Sequence, residues 1–298
     1  MAVTEHAVRS PRVGFAELIN NRREASLAWC YKATIVITIL LAVAAVGGLF
    51  FGAYRDNAWV SSQMRGQDFV SLVFAVPLLL ASAFLASRGS TRAQLVWLGA
   101  LGYVTYSYLY IFGITWNRLF LVYLLLLTLS GITLVRALLS LDATAIAGKF
   151  NSKAPLRAAS RYLSIFGIGL GALWGAQALV ATVTGEIPKS VIDSGHPTGV
   201  VFILDLGLVV PLFLIGAHLL RRRHPWGFVA AGALLVKGIA EGLALLGMSL
   251  FMYLDEYPVI DVAFIPLWAA VAVASTVLTI LYLRAIDAKE ERRKEFVT

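Results

Sequence analysis

The chain alternates long apolar runs with short polar turns. Eight runs approach or exceed the roughly 20 apolar residues that a bilayer-crossing helix needs. They are Ala33 to Tyr54, Phe69 to Ser87, Thr91 to Thr115, Leu119 to Leu141, Tyr162 to Thr184, Gly199 to Leu220, Gly227 to Leu250 and Val262 to Leu283. Strands of a membrane β-barrel would alternate apolar and polar residues over short segments, and none of these runs does. The pattern predicts an all-α polytopic membrane protein with eight transmembrane helices.

The longest polar turn, residues 142–161, separates a first half over 33–141 from a second over 162–283, with an N-terminal segment 1–32 and a charged tail 284–298. The halves resemble one another. Pro77-Leu-Leu-Leu-Ala-Ser-Ala-Phe-Leu-Ala-Ser-Arg88 lines up with Pro211-Leu-Phe-Leu-Ile-Gly-Ala-His-Leu-Leu-Arg-Arg222, 134 residues further on. Both segments carry a mid-membrane proline and exit to a basic turn. The alignment predicts a 4+4 parallel internal repeat, related by a pseudo-two-fold axis along the membrane normal, with any central site between the halves.

Composition agrees with the periodicity: 59% of residues are hydrophobic and 14% charged, against about 25% charged in soluble domains. Charge placement then orients the chain, because Lys and Arg collect on the cytoplasmic side. With the N-terminus inside, the cytoplasmic face holds Arg9, Arg12, Arg22, Arg23, Lys32, Arg88, Arg92, Lys149, Lys153, Arg157, Arg161, Arg221, Arg222, Arg223 and the basic tail. The outer face holds Arg55, Arg65, Arg118 and Lys189. Adding or removing one span would scramble this alternation, so both termini are expected in the cytoplasm of a multi-pass cell-membrane protein. The net charge of +8 reads as a grip on anionic membrane lipids, not on nucleic acid.

The first 32 residues contain no apolar region followed by a small-residue cleavage site, so no removable signal peptide is expected. Cys30 is the single cysteine and can form neither an internal disulfide nor a CxxC relay. His6, His196, His218 and His224 have no metal-ligand spacing. Nucleophile elbow, Walker loop and HExxH patterns are missing from the sequence. No metal or cofactor is expected.

The candidate chemistry is carried by charges inside apolar runs. Lys237 and Glu241 lie four residues apart, on one face of the seventh span. A charge at the centre of a membrane helix costs about 2.5 to 3.5 kcal/mol on insertion scales, so it faces a partner or a wet cavity. Counting about 1.5 Å per residue from the cytoplasmic turn puts Lys237 roughly 16 Å deep and Glu241 and Asp205 both roughly 22 to 24 Å deep. Asp205, on the antiparallel sixth span, is thus placed to reach either group. In the third span Tyr103, Tyr106 and Tyr110 share a face, and the repeat sets that face opposite the charged one. The two faces are expected to line a cavity opening outward that binds a small molecule or a proton.

At the outer surface, Arg65 and Asp68 are candidates for a cavity mouth, although Gln67-Asp68 also reads as an N-terminal cap of the second span. Asn117, His196, Asp255, Glu256 and Asp261 occupy other outer loops.

Arg65-Gly-Gln-Asp68, Leu204-Asp205 followed by Pro211, Arg221-Arg-Arg-His-Pro-Trp-Gly227 and Leu235-Val-Lys-Gly238 resemble a family of polytopic membrane proteins of bacteria and archaea. The resemblance implies a multi-span architecture and no particular activity. Three functions stay open: a small-solute or proton-coupled transporter, a membrane-embedded enzyme acting on a lipid or isoprenoid, and a non-catalytic partner subunit with a structural ion pair.

Overall fold

In the computed structural model, which describes residues 15–257 and 264–287, every long element is a helix. The first span is α1 (Phe15–Phe50), and the second joins α2 (Ala58–Val70) to α3 (Val76–Ser87) through a π-helical turn, Ser71–Ala75. The third is α4 (Thr91–Leu109) with a 3-10 turn, Tyr110–Phe112, and the fourth is α5 (Phe120–Ser140). Short α6 (Ala143–Gly148) leads to the fifth span, α7 (Leu156–Thr184), and short α8 (Lys189–Ser194) to the sixth. The sixth joins α9 (Val200–Leu204) to α10 (Val210–Arg221) through a second π turn, Asp205–Val209, and is followed by α11 (Pro225–Leu254) and α12 (Phe264–Arg284). Eight helical spans among the described residues are long and apolar enough to cross a membrane. The expected charges at Arg9 and Arg12, the tail beyond Asp287, and Asp261 lie outside the described residues.

Several helices run beyond their apolar runs. The second span begins at Ala58, not Phe69, and its N-cap is Asn57, whose side chain accepts from the Val60 amide. Asp68 therefore sits deep inside the helix and caps nothing. The apolar window missed this start because Ser61, Ser62, Gln63 and Arg65 are polar yet helix-compatible, in a helix that packs against α11. Likewise α7 starts at Leu156, ahead of the apolar run.

The two π turns share one cause. A proline inside a helix has no N–H to donate, and its ring presses on the carbonyl four residues back. Pro77 and Pro211 each stand two residues after the end of a π turn, and widening the turn by a residue relieves that clash.

Helix α11 is the centre of the molecule, packing against α2, α4, α10 and α12, with α6 against it as well. Small residues permit this. A methyl group at Gly66 of α2 would run into the backbone of Gly247 and Met248 of α11, and one at Gly247 would meet Gly66 in return. At Gly99 of α4 the obstacle is the Ala233 carbonyl, at 2.5 Å. Close backbone approach through glycine is the usual packing device between membrane helices, where apolar side chains gain little over lipid.

The polar turn between the halves is structured. Asp142 caps α6 through the Ala145 amide, and Phe150 packs on Phe228 and Tyr282. Backbone bonds from Asn151 to Ala285 and from Asp287 to Lys149 tie this turn to the end of α12.

Candidate functional site

Asp205 is the first residue of the π turn in the sixth span, and it is buried. A carboxylate in an apolar interior must recover the hydrogen bonds it gave up in water. Its Oδ1 accepts from the Tyr106 hydroxyl at 2.5 Å and its Oδ2 from the Trp174 indole N–H at 2.8 Å. Bonds to an ionised acceptor are about twice as strong as neutral ones, so the two donors clamp the carboxylate from α4 and α7. The Trp174 ring is steadied in turn by Phe202, with centroids 4.6 Å apart.

One helix turn apart on α11, the Lys237 ammonium lies 2.8 Å from Glu241 Oε2 and 4.0 Å from the centre of the Tyr106 ring. Lysine preceding glutamate is the less favourable order for an exposed helix pair; here burial and the aromatic face hold the ammonium. A desolvated cation over an aromatic face gains about 2 kcal/mol. Tyr106 links Asp205 to the lysine: its ring supports the ammonium and its hydroxyl binds Asp205. Relative exposure is 8% for Asp205 and 9% for Lys237.

The expected juxtaposition of the third-span tyrosines with the charged face of the seventh span is present at Tyr106. Its neighbours on that face go elsewhere. The Tyr103 hydroxyl lies 3.4 Å from Ser71 Oγ, in the other π turn, and Tyr110 lies 3.3 Å from His196 Nδ1. His196 Nε2 is in turn 3.3 Å from Asp56 Oδ1, which also accepts from the Thr115 amide. Lys237 takes Glu241, not Asp205, as its ion-pair partner. Where an open cavity was expected between the two faces, the Tyr106 ring rests directly on the ammonium.

The cavity-mouth candidates separate. Arg65 bonds Asp255 at 3.0 Å near the ends of α2 and α11, with its guanidinium over the Phe251 ring. Asp68, one turn along, is buried against Tyr54, whose hydroxyl donates to Oδ2 at 2.6 Å.

Trp174 of the central group and Ser71 of the other π turn were not singled out by the sequence. Trp174 sits in an apolar run, and its signal was the indole N–H, which needs an acceptor when buried. Ser71 is the position that falls on Asp205 when Pro77 is laid on Pro211. No family model matches the chain, and neither the curated proteins nor the solved structures contain a significant match.

Proposed function

We propose that this protein is a small-solute transporter of the cell membrane, coupled to a proton through Asp205, Glu241 and Lys237. The observation that carries the reading is a buried carboxylate at the start of a π turn in the sixth span, joined through Tyr106 to the ion pair on α11. π turns inside helices occur often at functional sites, and ionisable residues within membrane spans mark ion pathways and proton relays. Two acids and one ammonium leave one formal negative charge to be met by the coupling ion.

The repeat supports the same reading. Ser71 and Asp205, like Pro77 and Pro211, are 134 positions apart, and each serine or aspartate opens a π turn beside a tyrosine of α4. Two parallel halves of four spans would carry matched hinges on either side of α4 and α11. The basic turns support a cytoplasmic side for both termini.

Purified protein in vesicles containing a trapped pH dye tests this. Challenged with panels of amino acids, sugars and organic cations, it should give a solute-dependent pH change that Asp205→Asn and Glu241→Gln each abolish while remaining folded. Unchanged signals in both variants would sink the coupling role.

A second reading, a partner subunit with a structural ion pair, draws on the closure of Tyr106 over Lys237.

A further inference from the structure

Asp68 has no role in the central group, yet it is a carboxylate with 5% exposure inside a span. Its single hydrogen bond in the structure comes from Tyr54, and it makes no ion pair with any described residue. Arg65, the nearest base along α2, is held by Asp255. Space for the carboxylate has been cleared on α1, where a methyl group at Gly48 would overlap Asp68 Oδ2.

Beside the carboxylate lies a cavity of about 30 Å³, lined by Tyr54, Gln67, Asp68, Ser107, Tyr108 and Tyr123, among others. The Tyr123 side chain is 3% exposed, and its hydroxyl makes no hydrogen bond of normal geometry, with Tyr54 and Asn117 as its polar neighbours. An orphaned buried hydroxyl costs about 1 to 3 kcal/mol. Residues bearing a carboxylate, phenols, a hydroxyl and an amide thus line a space large enough for one or two water-sized occupants.

We propose that this pocket binds a single small monovalent metal cation, with Asp68 supplying the charge and Tyr123, Tyr54 and Ser107 supplying neutral oxygens. Oxygen donors suit hard cations. The lone carboxylate balances one positive charge, whereas a divalent ion would stay uncompensated in a low-dielectric site. Organic ammonium ions exceed the volume. The occupant meets two needs together, those of the Asp68 carboxylate, which has no ion-pair partner among the described residues, and of the Tyr123 oxygen. The site stands apart from the Asp205 group and does not depend on transport.

The full chain in detergent provides the test, through its melting temperature in sodium, potassium or N-methylglucamine chloride at constant ionic strength. A ligand that binds only the folded state raises stability with the logarithm of its concentration above Kd. Sodium or potassium should raise the melting temperature saturably relative to N-methylglucamine. Asp68→Asn should remove the rise, and Asp205→Asn should keep it. Tyr123→Phe, which fills the same volume, should shift the half-saturating concentration upward by about tenfold, the equivalent of about 1.4 kcal/mol; it carries the test where Asp68→Asn fails to fold. Equal melting in all three salts overturns the site, as does a rise that survives Asp68→Asn or is unaltered in Tyr123→Phe.

Discussion

Lys237 is the residue at which the interior's tolerance for charge can be measured. Its ammonium has three donors and meets one carboxylate and one aromatic face. Removing one member of a buried pair strands the other at a cost of about 3 to 5 kcal/mol, whereas replacing both by apolar groups is often neutral. Lys237→Leu alone should therefore lower the melting temperature sharply, and Lys237→Leu with Glu241→Leu should recover most of the loss. If the pair serves coupling, the double variant stays folded while its solute-dependent pH change disappears; if the pair is structural, activity survives with the fold. Melting and flux measured on the same preparations separate the two. Lys237, Glu241 and Asp205 were legible because a charge in an apolar run stands out against its neighbours. Trp174, Tyr54 and Tyr123 were not, because an aromatic residue in such a run looks the same whether its polar atom is used or not.

Individual helices show where apolar windows succeed and where they stop. Existence and order of the spans follow from run length, so all eight were readable. The start of α2 was not, because polar residues that face a neighbouring helix carry no hydropathy signal. The prolines marked both interrupted spans, but the widening into π turns depends on how the backbone relieves the ring, which composition does not encode. The crossing of α2 and α11 at Gly66 and Gly247 is likewise a property of the pair. A methyl group at Gly66 meets backbone atoms of α11 that cannot rotate away, so Gly66→Ala should destabilise by about 1 to 3 kcal/mol, the usual range for overpacking. Gly102→Ala is the control, since a methyl group there meets nothing within 4 Å and alanine favours helix by about 1 kcal/mol. Thermal unfolding should show a loss at Gly66 and none at Gly102. Equal effects at both positions would mean that α2 and α11 do not approach at Gly66.

Across the whole molecule, the ends of the spans sort into two faces. Asn57 donates to the Asp193 carbonyl, Arg65 pairs with Asp255, and Tyr110, His196 and Asp56 form a chain at one end. Arg23 with Asp142, Lys149 with Thr91 and Asn151 with Ala285 close the other. The second face is the one rich in Arg and Lys, so the charge bias predicts that it meets the cytoplasm. Cys30 is fully buried and stays silent to an impermeant maleimide, which leaves the native chain as a labelling background. Exposed Glu186 and Arg222 lie on opposite faces. Glu186→Cys should label on intact cells, and Arg222→Cys only after permeabilisation. The reverse pattern would invert the molecule, turning the Asp68 pocket and the outer ends of α4 and α11 toward the cytoplasm and requiring any coupling ion to enter from that side. Labelling of both on intact cells would break the alternation itself and remove the basis for placing Asp205 and Lys237 at mid-membrane.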